Sequence, residues 1–560
     1  MLNANYNLDN PATFDYIVGR PVKPILDPVM VFEWFGECKK HPECSKYSNI
    51  SAVHKSDFPS RLIDVNPKEG PIRLVQSKIK GTCEKYLTLS HRWKDNIVKT
   101  TQQSLCAHQK RLPLEEPSQR FRDAISITKQ LGFRYIWIDA LCIIQDAPTE
   151  MQRECSHMKD IYQNCTIMLA ADRAGHSNSR LYPIKQVSKE AVLPFHGASG
   201  EQIAQFTLSS RRLSTFESDV IRGMLSPRGW TLQERVLAPR TLHFGKSQLH
   251  WECRNSIWNE RTDFKRIFYT PRVRDDAREM ITATSRKNLG IPSGRDMVGM
   301  GAGCTEYTVW YDLVSAYSGR KLTFPEDRLK AILGLAQLFL GIIRDEFVWG
   351  LWHQDLPAGL LWSVQATVPM MRLEAPSWSW ASIDGELTFY IPSTKWGRPL
   401  RGSFEVTCDE ISLTDSEGPH GTYQSGRFSC RCPIMLVALL ASTKLEQNEE
   451  YPYYHSRQEP NAEVRDVGNV RSIGNATMDD DSLLRMSDSL HPLKLYAAMF
   501  YHQYPLLTDD RMVNDRKHVS RSYCILLKPL VEDGLFQRCG YAEIQSTAFS
   551  RVERSSIAII

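Results

Sequence analysis

The stretch from Phe121 to Ala171 constrains the fold more than any other part of this chain, because helices and buried strands alternate legibly within it. Phe121, Ala124, Ile125, Thr128 and Leu131 recur at helical spacing, with Ser118 placed as an N-cap and Gly132 as the stop. Tyr135-Ile136-Trp137-Ile138-Asp139 is a short, nearly all-apolar run of β-formers ending in a carboxylate. This is the pattern of a strand covered on both faces of a parallel sheet. A second helix is predicted from about Thr149 to Tyr162, with Met151, Cys155, Met158, Ile161 and Tyr162 as its apolar stripe. A strand from Thr166 to Ala171 completes the order of a parallel α/β unit.

Glu154 falls inside that apolar stripe. At about 100° per residue it lies angularly between Ile161 and Met158, so its carboxylate is expected to face the core or a cleft. There it must be paired, protonated or functional. Asp139 stands at a strand end, where ligands of open α/β sheets bind.

Tyr86 to Ser90 reads as the first strand of the sheet, and Ser90-His91-Arg92-Trp93-Lys94-Asp95 forms a polar and aromatic cluster at its end. Downstream, Pro227 starts a helix on which Trp230, Gln233, Glu234 and Leu237 share one face, just after Arg228. Strands are expected at Thr241 to Phe244 and Gln248 to Glu252, and short strands from Ser60 to Val75 around the turn Asn66 to Gly70. After a helical Val31 to Glu37, the Cys38-x2-His41-x2-Cys44 spacing offers three zinc ligands, with His54 or Cys83 as a distant fourth. Structural zinc sites normally take paired ligands from two segments. The segment is therefore read as buried thiols beside a helix end, and no metal is assigned.

A chain of 560 residues is expected to hold two or three domains. The reading is an irregular arm over 1–30, an α/β domain over 31–255 with core blocks at 86–252, and a mostly helical region over 256–390 ending in a Trp-rich segment. A β-rich region follows over 391–560, interrupted by a mobile polar insertion at about 445–481. In the Trp-rich segment, Trp378 and Trp380 are predicted on one face of a strand, there to stack on a ligand or to pack between domains. The longest apolar run, Ala331 to Ile343, contains Gln337 and is about half a bilayer span, so it reads as a buried helix.

Fourteen cysteines without regular spacing, and no N-terminal signal segment, point to a reducing compartment and a cytoplasmic protein. A net charge of +5 is too mild to argue for nucleic acid, and no basic stripe appears. There is no Gly-x-Ser-x-Gly elbow, and Cys142 sits in an apolar run that predicts an inert thiol. Gly299, Gly301 and Gly303 follow no strand and are read as loop glycines.

Taken together, Leu89 to Trp93, Phe121 to Asp146 around Tyr135 to Asp146, then Glu154, Met158, Tyr162 and Asn164, and finally Arg228 to Glu234 resemble the blocks of the fungal heterokaryon-incompatibility (HET) domain in order and spacing. The chain departs from that family's usual residues at His91, Arg92, Lys94, Ala140 and Met151. The resemblance implies a role in fungal non-self recognition and programmed cell death, with protein partners and self-association. It also implies a TIR-like, flavodoxin-like parallel sheet core, in which some members cleave NAD through a helix glutamate, here Glu154.

Two readings of the candidate residues follow. In the first, Glu154, with Asp139 at the strand end, stabilises the cationic ribose as nicotinamide leaves NAD, the substrate. Ser90, His91, Arg92, Trp93, Arg228, Trp230, Gln233 and Glu234 then form the binding side of the site. In the second, the same polar residues form a structural network inside a non-catalytic signalling module.

Overall fold

The computed structural model describes residues 25–45, 58–77, 85–93, 97–114, 119–173, 180–181, 190–196, 199–209, 215–260, 306–364, 375–389, 402–417, 423–441, 462–467, 472–479, 492–505, 521–531 and 534–560. Ser118, His54, Cys83 and the glycines at 299, 301 and 303 lie outside them. The chain divides into two compact units, Met1–Pro292 and Ser293–Ile560.

The first unit is built on an eight-stranded mixed sheet. Its strands in chain order are β1 (Arg61–Asp64), β2 (Arg73–Gln76), β3 (Tyr86–Ser90), β4 (Tyr135–Trp137), β5 (Ile167–Ala170), β8 (Arg240–Phe244), β9 (Leu249–Cys253) and β10 (Ile257–Asn259). A separate hairpin pairs β6 (Glu190–His196) with β7 (Gln202–Ser209). The spatial order is β10-β9-β8-β5-β3-β4-β1-β2. β3 runs parallel to β4 and to β5, and β5 parallel to β8, whereas the flanking pairs are antiparallel. Every residue of β3, β4, β5 and β8 is buried, which explains the unbroken apolar runs of β4 and β5.

The helices of this unit include α1 (Pro28–Lys40), α2 (Pro42–Ser45), α3 (Leu105–Lys110), α4 (Gln119–Gln130), α5 (Asp139–Cys142), α6 (Pro148–Ser156), α7 (Met158–Gln163) and α8 (Gly229–Leu237). α4 buries Phe121, Ala124, Ile125 and Thr128, and the chain leaves it through Gly132 at φ +67°, a conformation that glycine adopts without strain.

Two expectations for this unit need correction. The strand expected to end at Asp139 stops at Trp137, because Asp139 opens α5 and its Oδ1 accepts the Ala140 N–H at 2.7 Å. The single helix expected from Thr149 to Tyr162 breaks at His157 into α6 and α7, so one apolar stripe does not run through both. α7 buries Met158, Ile161 and Tyr162 as expected, but Met151 on α6 is 40% exposed. The only buried side chain of α6 is Glu154.

In the second unit, helices Glu306–Ser318 and Lys330–Ile343 pack beside short strands, the latter helix burying Ile332, Leu335, Ala336 and Phe339. Trp378 and Trp380 are not on a strand. They lie in a turn that enters a 3-10 segment, Trp380–Ser382, where their indole N–H groups donate to the carbonyls of Gly426 and Gly350 at 3.0 and 2.9 Å. Both rings are fully buried, Trp378 beside Phe428 and Trp380 beside Tyr317.

The rest of the second unit is a nine-stranded sheet. Its pairings link Tyr423–Ala441, Ala462–Asp466, Ser472–Met478, Leu535–Gln545, Arg521–Pro529 and Leu493–Pro505 into a closed ring, each strand antiparallel to the next. Val437, Leu439, Val464, Ala476, Leu495 and Leu526 belong to its apolar core. The expected polar insertion at 445–481 therefore contains two strands of this sheet, each of which contributes buried apolar side chains. No helix among the described residues is long and apolar enough to cross a membrane.

Candidate active site at the C-terminal edge of the sheet

β4 and β5 flank β3 on opposite sides, so the chain reverses its direction of winding at β3 and leaves a crevice beyond the carboxyl end of that strand. Ser90 is the last residue of β3, and its hydroxyl donates to Oε2 of Glu234 on α8. The Tyr162 hydroxyl of α7 also hydrogen-bonds this carboxyl group. Glu234 is buried, and burial pushes its pKa up to about 7, against the opposing pull of Arg228 and the Ser90 hydroxyl.

The loop after β3 is pinned by two guanidinium groups. Arg228, just before α8, donates to the carbonyl of His91, and Arg120 on α4 donates to the carbonyl of Arg92 at 3.0 Å. The His91 ring is buried edge-on against Phe121 at 5.2 Å. Burial lowers its pKa to about 4, and Arg120 and Arg228 reinforce that direction while Asp139 opposes it. At neutral pH the ring is uncharged, so its 3.6 Å approach to Asp139 Oδ1 is not an ion pair. Asp139 accepts instead from Trp93 Nε1 at 2.6 Å.

Glu154 is buried as its sequence position implies, at 2% exposure, but it belongs to a different group. Ser60 donates to its Oε1, and Arg153 Nη2 lies 3.4 Å from the same oxygen. Oε2 is buried and meets no hydrogen-bond partner among the described residues. Beside it, Arg61 pairs with Glu150 and donates to the Cys142 carbonyl at 2.9 Å. The antiparallel register Ile63↔Ile136, extended by three residues, sets Ser60 alongside Asp139. Glu154 is thus held at the same carboxyl edge of the sheet, two strands from β3, or roughly 10 Å.

The structure therefore gathers Ser90, His91, Trp93, Asp139, Arg228 and Glu234 at the edge, together with the backbone of Arg92. Gln233 is buried on α8, and Trp230 is half-buried at its start. Tyr162, Arg120 and Ser60 take part without having been singled out as site residues. Only Tyr162 had a signal, as a polar-tipped ring on the buried stripe, since the other two are recruited by contacts distant in sequence. Cys142, also near this edge, has its thiol pushed up to about 12 by burial, as expected of an inert cysteine.

A further buried polar chain runs from the end of β5 across β8 to β9. His243 Nδ1 is 2.8 Å from Asp172, its Nε2 is 3.0 Å from Glu252, and Arg235 clasps Glu252 at 2.9 and 2.6 Å.

Residues 86–234 match the family model described as Heterokaryon incompatibility protein (HET). This segment is a HET domain. The matched span opens at β3 and closes at Glu234, so the HET domain contains both partners of the Ser90–Glu234 hydrogen bond and Glu154, while Ser60 comes from outside it. No curated protein and no solved structure matches the chain. The HET domain suggests a role in heterokaryon incompatibility.

Proposed function

We propose that this HET-domain protein acts in fungal non-self recognition by triggering programmed cell death, and that its output is hydrolysis of the nicotinamide glycosidic bond of NAD at the carboxyl edge of the sheet. The observation that carries the catalytic reading is Oε2 of Glu154, a buried carboxylate oxygen with no hydrogen-bond partner among the described residues. Its neighbour Oε1 is held by Ser60. Buried polar atoms are nearly always satisfied, so an orphan oxygen on a helix that buries no other side chain supports a ligand position there. Ribose hydroxyls would fill that position. The carboxylate would then stabilise the positive charge that develops on the sugar as nicotinamide departs and water adds, giving ADP-ribose, nicotinamide and a proton.

The parallel strands stand in the spatial order second, first, third, fourth, which supports the flavodoxin-like, TIR-like assignment and a nucleotide site at the crevice beyond β3. Trp93 and Trp230, both half-buried, are suited to stack on a ring, and Arg92 is exposed for phosphate. Ser90, His91 and Glu234 bond or pack internally. That favours a second reading for these residues alone, a network that fixes α8 against the sheet.

The test is purified full-length protein, alone and fused to an oligomerising tag, assayed for NAD loss and nicotinamide release. Glu154→Gln should lower the rate by about 100-fold or more at equal folded concentration. Absence of turnover in every assembly state, or equal turnover in the variant, overturns the catalytic reading. Overexpression in a filamentous fungus should kill, and the variant at matched soluble abundance should not.

A further inference from the structure

Away from the sheet edge, four metal-ligating side chains converge in the first unit. Cys38 lies in the last turn of α1, His41 follows it, Cys44 is on α2 and Cys253 ends β9. Their ligand atoms all lie within 4.8 Å of one another. His41 Nδ1 is 3.9 Å from Cys44 Sγ and 3.7 Å from Cys253 Sγ. With Zn–S of about 2.3 Å and Zn–N of about 2.0 Å, the edges of a tetrahedral site are about 3.5 to 3.8 Å. The two His41 separations come within about 0.4 Å of that edge, and side-chain movements of about 1 Å or less bring all four ligand atoms onto one ion.

We propose that Cys38, His41, Cys44 and Cys253 bind one structural zinc ion. The sequence reading assigned no metal because it saw ligands from only one segment. Cys253 supplies the second segment, 212 residues beyond His41.

The surroundings are those of bound thiolates. The Ser256 N–H donates to Cys253 Sγ at 3.3 Å from within a tight turn whose other bond is Cys253 N–H to Ser256 carbonyl at 3.0 Å. Arg240, completely buried on β8, donates Nε to Cys38 Sγ at 3.3 Å and Nη2 to the Cys44 carbonyl at 2.6 Å. Three thiolates and one imidazole on a divalent ion carry a net charge of −1, and the guanidinium neutralises it in a dry setting. The Trp258 ring closes over His41 at 5.8 Å, and the three cysteines are buried. Four protein ligands leave no open position, so the ion is structural and clamps α1 and α2 to the end of β9.

Full-length protein purified without chelator should contain about one zinc per chain, released when a mercurial blocks the thiols. Exchange with cobalt(II) should give the intense visible bands of a tetrahedral thiolate site. Cys253→Ser should lose the metal, Cys253→His should retain it, and Cys142→Ala should leave it unchanged. Substoichiometric zinc together with no cobalt spectrum in the unaltered protein, iron in place of zinc, or full zinc in Cys253→Ser would each overturn the assignment. The cobalt spectrum of the unaltered chain needs no variant to fold.

Discussion

The hydroxyl of Ser90, at the end of the central strand β3, donates to the carboxyl group of Glu234 on α8, which stands 144 residues further along the chain. This bond ties the first and last blocks of the HET domain across the crevice and makes the state of one carboxyl group a property of the whole domain.

Glu234 should make stability depend on pH in an unusual sense for a carboxyl group. Its folded pKa of about 7 lies above the ordinary glutamate value of 4.5, so its contribution is fully present below pH 4.5 and is lost as pH rises through about 7. The shift corresponds to roughly 3 kcal/mol. Glu234→Gln should therefore gain stability relative to the unaltered protein between pH 5 and pH 8 in urea titrations, and a constant difference across that range contradicts the argument.

His91 should contribute with the opposite sign. Its pKa, lowered to about 4 chiefly by burial, means that its contribution is complete above pH 6.5 and is lost as pH falls through about 4. In protein labelled with 15N at histidine, the His91 ring should keep the signature of a neutral imidazole at pH 5.5. A protonated ring at that pH would show that the site opens to water.

Glu154 separates a functional carboxylate from a structural one. Its orphan Oε2 gives it little to lose, so Glu154→Gln should change stability by less than about 1 kcal/mol while NAD turnover falls. Destabilisation above about 2 kcal/mol would mark it as part of a structural network. Ser60→Ala should cost about 1 kcal/mol in the unaltered background and less in Glu154→Gln, as a double-mutant cycle reads out.

In the second unit, Arg538 is buried between Asp479, with which it forms an ion pair, and the Trp362 ring 3.2 Å away. Arg538→Met leaves the Asp479 carboxylate without this partner and should cost about 3 to 5 kcal/mol, and adding Asp479→Asn should recover part of it. Thermal unfolding of the unaltered protein and these two variants checks this. No recovery in the double variant would show that ring stacking dominates.

How far each element was legible depended on where its partners lie. β3, β5, β8 and β9, α4 and α8 are set by local apolar runs, caps and helical spacing, and they stand within a residue or two of expectation. The break at His157 was not legible, because Met151 through Tyr162 is compatible with one continuous stripe and only packing chose two helices. Trp378 and Trp380 alternate like strand residues, yet their indole donors are satisfied by the Gly426 and Gly350 carbonyls, which no local pattern shows. The two strands within the supposed insertion gain stability only by pairing with Tyr423–Ala441 and Leu535–Gln545.

The sequence by itself determined the alternating α/β core and its likeness to the HET domain, since both follow from the order and spacing of residues within each block, whereas Glu154 is buried even though the continuous stripe from which its inward turn was read does not form. Tertiary structure alone decided that Ser60 rather than Ser90 holds Glu154, that Glu234 occupies the end of β3, and that Cys253 joins Cys38, His41 and Cys44. The reason is physical. Helical and strand periods act over a few residues, whereas which polar groups meet at a strand end is fixed by sheet order and register, which bring together segments 94 to 212 residues apart.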